Sequence, residues 1–386
     1  MPETMPERRR VIFLFSDTGG GHRSSAEAVA EAIARQGDSS VEVVLVDALR
    51  SYAPTPFNRL PGLYPRMVRT PRMWGLGFRV SNGRQRGRVL TSLTWPYVRG
   101  AAQRLVAEVS GDLFVSFHPL LIAPTIKALG RERPPFYAVV TDLATGHTLW
   151  YHHRLDLCFL PTEEAERRAL DYGMKSEQLR LVGLPVAERF CLPIGDRKQL
   201  RGELGWPQDR PIVLVVGGGE GMGPLFETAR AIARGGVGAG LAIVTGRNET
   251  LRQRLQAVDW EIPTWVYGFE HRMPQMMQAA TLLVTKAGPS TIAEAANAAL
   301  PLVLYSYLPG QEEGNVEYVV RGGLGRWAPG AIQTSAAVRE LLANPAELER
   351  MALACQCAAR PQAAQHIAEA ILQRLKAGVS DSPLPA

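Results

Sequence analysis

Two groups of side chains in this 386-residue sequence have the makings of reactive chemistry. The first is the turn Gly19-Gly20-Gly21-His22, which follows the apolar run Val11–Phe15 and precedes an alanine-rich helical pattern from about Ser24 to Gln36. Backbone N–H groups at a helix N-terminus carry partial positive charge and suit an anion or a developing alkoxide. An imidazole placed there titrates near neutrality and can take a proton as a general base. A histidine that merely caps the turn would show the same spacing. The turn lacks the Gly-Lys-Ser/Thr ending of a P-loop and a complete G-x-G-x-x-G, so nucleotide hydrolysis and dinucleotide binding are poorly served. Asp47, at the end of the next strand, sits where a ribose-binding acid would, which decides little by itself.

The second group is Lys286-Ala287-Gly288-Pro289-Ser290-Thr291 followed by Glu294. An ammonium at a strand end, with hydroxyls and free amides opening a helix, makes a diphosphate site. Glu294, one turn further on, can accept hydrogen bonds from both ribose hydroxyls, or can serve as a local helix-end acid. Upstream, Gly217-Gly218-Gly219-Glu220-Gly221-Met222-Gly223 offers backbone amides to a pyrophosphate. Glu220 would repel phosphate and turn instead to sugar, ribose or acceptor; a simple tight strand-to-helix turn is the alternative. Gln311-Glu312 with Asn315 form a hydrogen-bonding cluster suited to sugar hydroxyls, or an exposed polar loop.

The elements that must position these residues read as two successive blocks of alternating strand and helix. In the first block, strands are predicted over Val11–Phe15, Val41–Val46, Leu113–Phe117, Phe136–Thr141, Leu157–Leu160 and Leu181–Val182. In the second they are predicted over Ile212–Val216, Leu241–Thr245, Thr264–Tyr267, Leu282–Thr285 and Leu302–Tyr305. Polar residues near Gly195–Gly205 read as a linker, helices fill most of Ser335–Lys376, and the tail after Gly378 reads as disordered. This pattern predicts an α/β protein of two doubly wound domains. Nearly every cluster above falls at a strand's carboxyl end, where such sheets bind ligands, so a cleft between the domains is the expected site.

Residues 48–107 break the pattern. They hold eleven arginines and no Asp or Glu, interleaved with Tyr52, Phe57, Trp74, Trp95 and Tyr97. Arginine with interfacial aromatics suits anionic headgroups. It also suits single-stranded nucleic acid, where bases stack on aromatic rings. The net charge of +6 favours acidic partners without choosing among them. The four cysteines show no metal-like C-x-x-C pair and read as idle thiols in a reducing compartment. No signal peptide is evident, and no stretch approaches the roughly 20 apolar residues of a spanning helix.

Taken in order, these stretches resemble the monogalactosyldiacylglycerol synthase family, and more distantly the processive diacylglycerol glucosyltransferases and the bacterial lipid II glycosyltransferase. The resemblance runs through Ser16–Glu27, Val140–Trp150, Val182–Val186, Val216–Pro224, Gly246–Asn248, Gly268–Glu270, Thr285–Ala295 and Pro309–Val320. It implies a GT-B fold of two facing Rossmann-like domains and inverting transfer of galactose or glucose from a UDP-hexose to diacylglycerol. The domains would be residues 1–195 for acceptor and membrane, with 48–107 as lipid-contacting segment, and 196–360 for the UDP-sugar. A C-terminal helix over 361–377 would pack back on the first domain, ahead of a disordered tail over 378–386.

By the same resemblance His22 is the base, and Gly20, Gly21, Pro56, Trp74, Asp142, His147 and Trp150 lie on the acceptor and lipid side. Gly219, Glu220, Arg247, Asn248, Phe269, Lys286, Gly288, Ser290, Thr291 and Glu294 lie at the nucleotide, and Gln311, Glu312 and Asn315 at the hexose. No Asp-x-Asp motif is present, so no metal or other cofactor is expected. Anionic lipid is the expected activator, a membrane surface on its cytoplasmic face the expected location, and nucleic acid is not an expected partner. A UDP-sugar epimerase of the same fold, or transfer to another lipid, is the competing reading.

Overall fold

The computed structural model describes residues 8–18, 20–37, 40–60, 62 and 71–378. Gly19 and the tail beyond Gly378, read above as disordered, lie outside the described residues. The chain divides into two compact units. One comprises Met1–Tyr64, Gly75–Glu188 and Gln362–Ala386, and the other Pro65–Trp74 and Arg189–Pro361.

The first unit is built on six parallel strands: β1 Arg9–Phe15, β2 Val41–Asp47, β3 Leu113–Ser116, β4 Phe136–Val139, β5 Leu157–Leu160 and β6 Leu179–Leu181. Their spatial order is β2-β1-β3-β4-β5-β6. Alternate residues of β1 face opposite layers. Val11, Phe13 and Phe15 pack with the helices Gly21–Arg35 and Ala363–Lys376, and Ile12 and Leu14 with Leu105, Leu121 and Trp150 on the other face. Both faces are covered, which is why the run Val11–Phe15 is continuously apolar rather than alternating. The C-terminal helix Ala363–Lys376 therefore completes the first unit's core.

The second unit repeats the scheme with β7 Ile212–Val216, β8 Gly240–Val244, β9 Thr264–Tyr267, β10 Leu282–Lys286, β11 Leu302–Ser306 and β12 Gly325–Trp327. The order is β12-β11-β10-β7-β8-β9, again all parallel.

In each sheet the order reverses once. The chain leaves β1 toward β2 on one side, while β3 lies on the other; likewise β8 and β10 flank β7. Loops leaving two neighbouring strands in opposite directions open a crevice at their carboxyl ends, the usual ligand position in such sheets.

The structure departs from the sequence reading in two stretches. Residues near 195–205 are no linker. A helix, Arg197–Glu203, forms there, capped by the Asp196 carboxylate, which accepts from the Lys198 N–H at 2.9 Å. Its Arg201 is buried and donates to the carbonyls of Ala279 and Arg210. The basic stretch is helical, over Pro71–Ser81 and Arg84–Glu108. The longer helix buries Gly87, Ala102 and Leu105, and exposes Val89, Leu93 and Tyr97 along one face at a spacing of four.

Candidate active site

At the first sheet's crevice, Gly20 takes a left-handed φ of 83° as the N-cap of the helix Gly21–Arg35. That helix begins earlier than its alanine pattern suggests, so His22 sits in the first turn. The salt bridge from Arg23 to Asp17, at 2.6 Å, ties the turn back to the end of β1.

His22 is half-buried. Its Nδ1 lies 2.8 Å from the Thr141 hydroxyl beyond β4, and its ring meets His118 edge-on at 4.6 Å and Trp150 at 6.1 Å. Desolvation pushes its pKa down to about 4, against an opposing hydrogen bond with the Phe117 backbone. The ring is therefore neutral near pH 7 and keeps one nitrogen lone pair, as a proton acceptor must.

His118 follows β3 and is buried. Its Nδ1 accepts from the Leu120 N–H, so its Nε2–H donates to the Thr18 hydroxyl at 3.1 Å. Burial, and secondarily His22, holds it well below an ordinary imidazole pKa, so it adds no positive charge beside His22. Sequence reasoning gave no role to His118, Thr18 or Thr141. The signal available was that His118 directly follows the largely apolar run Leu113–Phe117 at a strand's carboxyl end.

Asp142 and Trp150 are both buried, and the indole N–H donates to the Asp142 carboxylate at 2.7 Å. This bond fixes the indole, which is tilted 45° to the His22 ring. His147 is also buried and is spent on holding the basic helices: its Nδ1 accepts from Leu149 N–H and its Nε2–H donates to Ser81 at 3.0 Å. The Thr148 N–H donates to Asn82 alongside. Gly21 opens the His22 helix. Pro56 is exposed and opens the short 3-10 turn Phe57–Arg59, and Trp74 is half-buried on the helix Pro71–Ser81.

The second unit gathers its candidates at the β7/β10 crevice and beside it. The loops after β7 and β8 touch backbone to backbone, the Arg247 N–H donating to the Gly219 carbonyl at 2.9 Å. A Cβ on Gly221 would stand 2.3 Å from the Thr245 carbonyl oxygen, so only glycine fits. Arg247 pairs with Glu220 at 3.0 Å and lies 4.8 Å over the exposed Phe269 ring. Arg247 thereby offsets part of the Glu220 charge beside the glycine turn. Asn248 caps the next helix, Glu249–Gln256, accepting from the Leu251 N–H.

Lys286 ends β10 and contacts Glu312 at 2.5 Å, and the second Glu312 oxygen accepts from the Leu308 N–H at 2.8 Å. A Cβ on Gly218 would lie 3.5 Å from Lys286 Cε, so the glycine turn and the lysine adjoin. A carboxylate has about four lone-pair sites, which leaves Glu312 able to accept from sugar hydroxyls as well. Gly288 caps the helix Pro289–Asn297, and Ser290 and Thr291 are in its first turn, half-buried. Burial pushes Glu294 up to about 8 against an opposing Arg189 charge. Gln311 is half-buried next to Glu312. Asn315 is buried; its amide donates to the Ala287 carbonyl and so braces the turn after Lys286, while its Oδ1 has no partner.

Among the described residues no group of three or more His, Cys, Asp or Glu could hold a metal ion, and no helix is long and apolar enough to cross a membrane.

The family model described as monogalactosyldiacylglycerol (MGDG) synthase matches residues 22–186, and that of the glycosyltransferase family 28 C-terminal domain matches residues 212–367. The chain is 37% identical to the probable monogalactosyldiacylglycerol synthase 2, chloroplastic, of Oryza sativa subsp. japonica, over 97% of this chain and 83% of the relative. It is 36% identical to monogalactosyldiacylglycerol synthase 1, chloroplastic, of Arabidopsis thaliana, over 92% of this chain and 69% of the relative. Among solved structures, MurG of Acinetobacter baumannii superposes with a TM-score of 0.61 at 16% identity, over 95% of this chain and 99% of that one. The fold is the two-sheet GT-B fold.

Proposed function

The chain belongs to the monogalactosyldiacylglycerol synthase family, and from that premise we propose that it transfers galactose from UDP-galactose to the free hydroxyl of 1,2-diacylglycerol. The observation that carries the reading is His22, a neutral, partly exposed imidazole at the switch point of the first sheet. The acceptor hydroxyl gives its proton to the unprotonated ring nitrogen of His22 as its oxygen bonds to the anomeric carbon. The bond from that carbon to the diphosphate breaks, and its electron pair leaves on UDP. Attack from the face opposite UDP turns an α-linked donor into a β-galactoside.

Charge growing on the leaving diphosphate is offset by Lys286 and by the first-turn amides of the helix Pro289–Asn297. Ser290 and Thr291 add hydroxyl donors. Glu294 takes the ribose hydroxyls, Arg247 and Phe269 frame the nucleoside, and Gln311 and Glu312 take the hexose hydroxyls. The arginine-rich helices, with Val80, Val89 and Leu93 exposed between basic residues, lie on an anionic membrane surface as a peripheral anchor.

The test is incubation with UDP-galactose and with UDP-glucose separately, in anionic vesicles containing diacylglycerol, with products read by mass and anomeric NMR. A β-linked galactolipid is expected. Interconversion of UDP-sugars without lipid would instead favour an epimerase, and an α-linked product would overturn inversion. His22→Ala should lower turnover by about 10²–10⁴-fold, the usual worth of a general base.

A further inference from the structure

An apolar cavity of about 160 Å³ lies inside the first unit, between the helices Arg84–Glu108 and Pro119–Leu129 and the segment around Ala48–Phe57. Leu90, Val98, Ala101, Leu121 and Ala123 line it. Three polar side chains on its wall are already engaged: the Thr91 and Thr94 hydroxyls donate to the carbonyls of Gly87 and Leu90, both at 2.8 Å, and the Tyr52 hydroxyl bonds Glu108. Most of the wall is apolar, which disfavours a polar ligand. An apolar pocket of about 150 Å³ takes a benzene-sized occupant.

The cavity also adjoins the reactive imidazole along the chain. Leu120 and Leu121 in its wall follow His118, which touches the His22 ring, and Leu149, also in its wall, precedes Trp150, whose ring centre lies 6.1 Å from the same ring. The long helix that supplies Leu90, Val98 and Ala101 to the cavity carries Val89, Leu93 and Tyr97 on its exposed face. The wall favours an apolar occupant, and its chain neighbours place it next to the His22 contacts and beside a helix with exposed apolar side chains. A hydrocarbon chain attached to the molecule whose hydroxyl His22 deprotonates fits all three features.

We propose that this cavity holds part of one acyl chain of the lipid acceptor and so selects acceptors by acyl length. The inference rests on the transferase reading above for the identity of the lipid. Its own content is the place of the chain.

The test uses a diacylglycerol carrying a diazirine midway along one acyl chain, presented to the full-length protein in anionic vesicles, with photolabelled peptides mapped by mass spectrometry. Label is expected within residues 90–105 and 119–125, displaced by unlabelled long-chain diacylglycerol and retained in the presence of UDP. Ala101→Phe, which fills the cavity, should abolish that label. It should also raise KM for dioleoylglycerol about 15- to 60-fold, at about fourfold per methylene for two or three methylenes displaced, with KM for UDP-galactose unchanged. Ala101→Val should give a smaller effect in the same direction, and circular dichroism melting establishes that both variants fold. Labelling confined to other residues, or persisting in a folded Ala101→Phe protein, overturns the inference. If the wild type labels at the cavity yet forms no glycolipid from any UDP-hexose, the transferase reading falls and the cavity assignment stands. If glycolipid forms while label misses the cavity, only the cavity assignment falls.

Discussion

Lowering the pH from 7 to 5 should barely slow transfer, because the base at its centre is already stripped of its proton. The His22 ring has lost the solvation that would stabilise imidazolium, and its pKa stands at about 4 rather than 6.5. At pH 5 such a ring is about nine-tenths neutral, whereas an ordinary one is about one-thirtieth neutral. At saturating UDP-galactose, the ratio of kcat/KM for diacylglycerol at pH 5 to that at pH 7 is then about 0.9, against about 0.04 for an unperturbed histidine.

Stability moves the other way. A histidine whose folded pKa lies below its unfolded value stabilises the fold above pH 6.5, and that contribution is lost as pH falls through 6.5 toward 4. For His22 the shift corresponds to at most about 3 kcal/mol, and less because the ring is half-exposed. His118, His147 and His152 are shifted in the same direction by burial, so acid sensitivity is shared among them. Initial rates against UDP-galactose and diacylglycerol should be taken from pH 4.5 to 8, with circular dichroism at each pH to separate titration from unfolding. An acid limb centred near pH 6.5 in protein that is still folded would refute the reasoning.

Three further outcomes follow from the geometry. Lys286→Met leaves the Glu312 carboxylate buried and unpaired, so it should cost about 3–5 kcal/mol of stability in chemical denaturation; adding Glu312→Gln should restore the midpoint without restoring the KM for UDP-galactose, and a single variant as stable as wild type would break the argument. With Glu294 raised to about 8, its carboxyl is protonated at pH 7, and ribose hydroxyls favour the ionised form. Binding of UDP should therefore release a proton at pH 7 and none well above pH 8, read by calorimetry in buffers of different ionisation enthalpy; release that persists in Glu294→Gln would rule out this carboxyl as the source. Gly221→Ala must place a Cβ 2.3 Å from the Thr245 carbonyl oxygen at a φ of 58°. It should cost about 1–3 kcal/mol and weaken UDP binding, and an unchanged urea midpoint would show that the two loops part easily.

Much of the architecture was legible in short stretches of sequence. Runs such as Val11–Phe15 and Ile212–Val216 are continuously apolar because strands covered on both faces must be, and the glycine and polar clusters mark where those strands end. The periods of two and 3.6 are local, so they survive in the bare sequence. The long basic helix was not legible, because a helix that buries so little of itself carries no deep apolar stripe. The helix Arg197–Glu203 was hidden by its polarity, and its buried Arg201 is satisfied in part by the Ala279 carbonyl and Thr281 hydroxyl, which belong to a distant segment.

What only the tertiary structure decided is which strand ends are neighbours. The placing of β3 beside β1 brings His118 onto His22 across about a hundred residues, and the pairing of β10 with β7 and β11 brings Lys286 against Gly218 and Glu312. It also buries Asn315 as a brace and spends His147 on the basic helices. No local pattern carries such pairings, because strand order is chosen by how whole faces are buried together, and that depends on every layer at once.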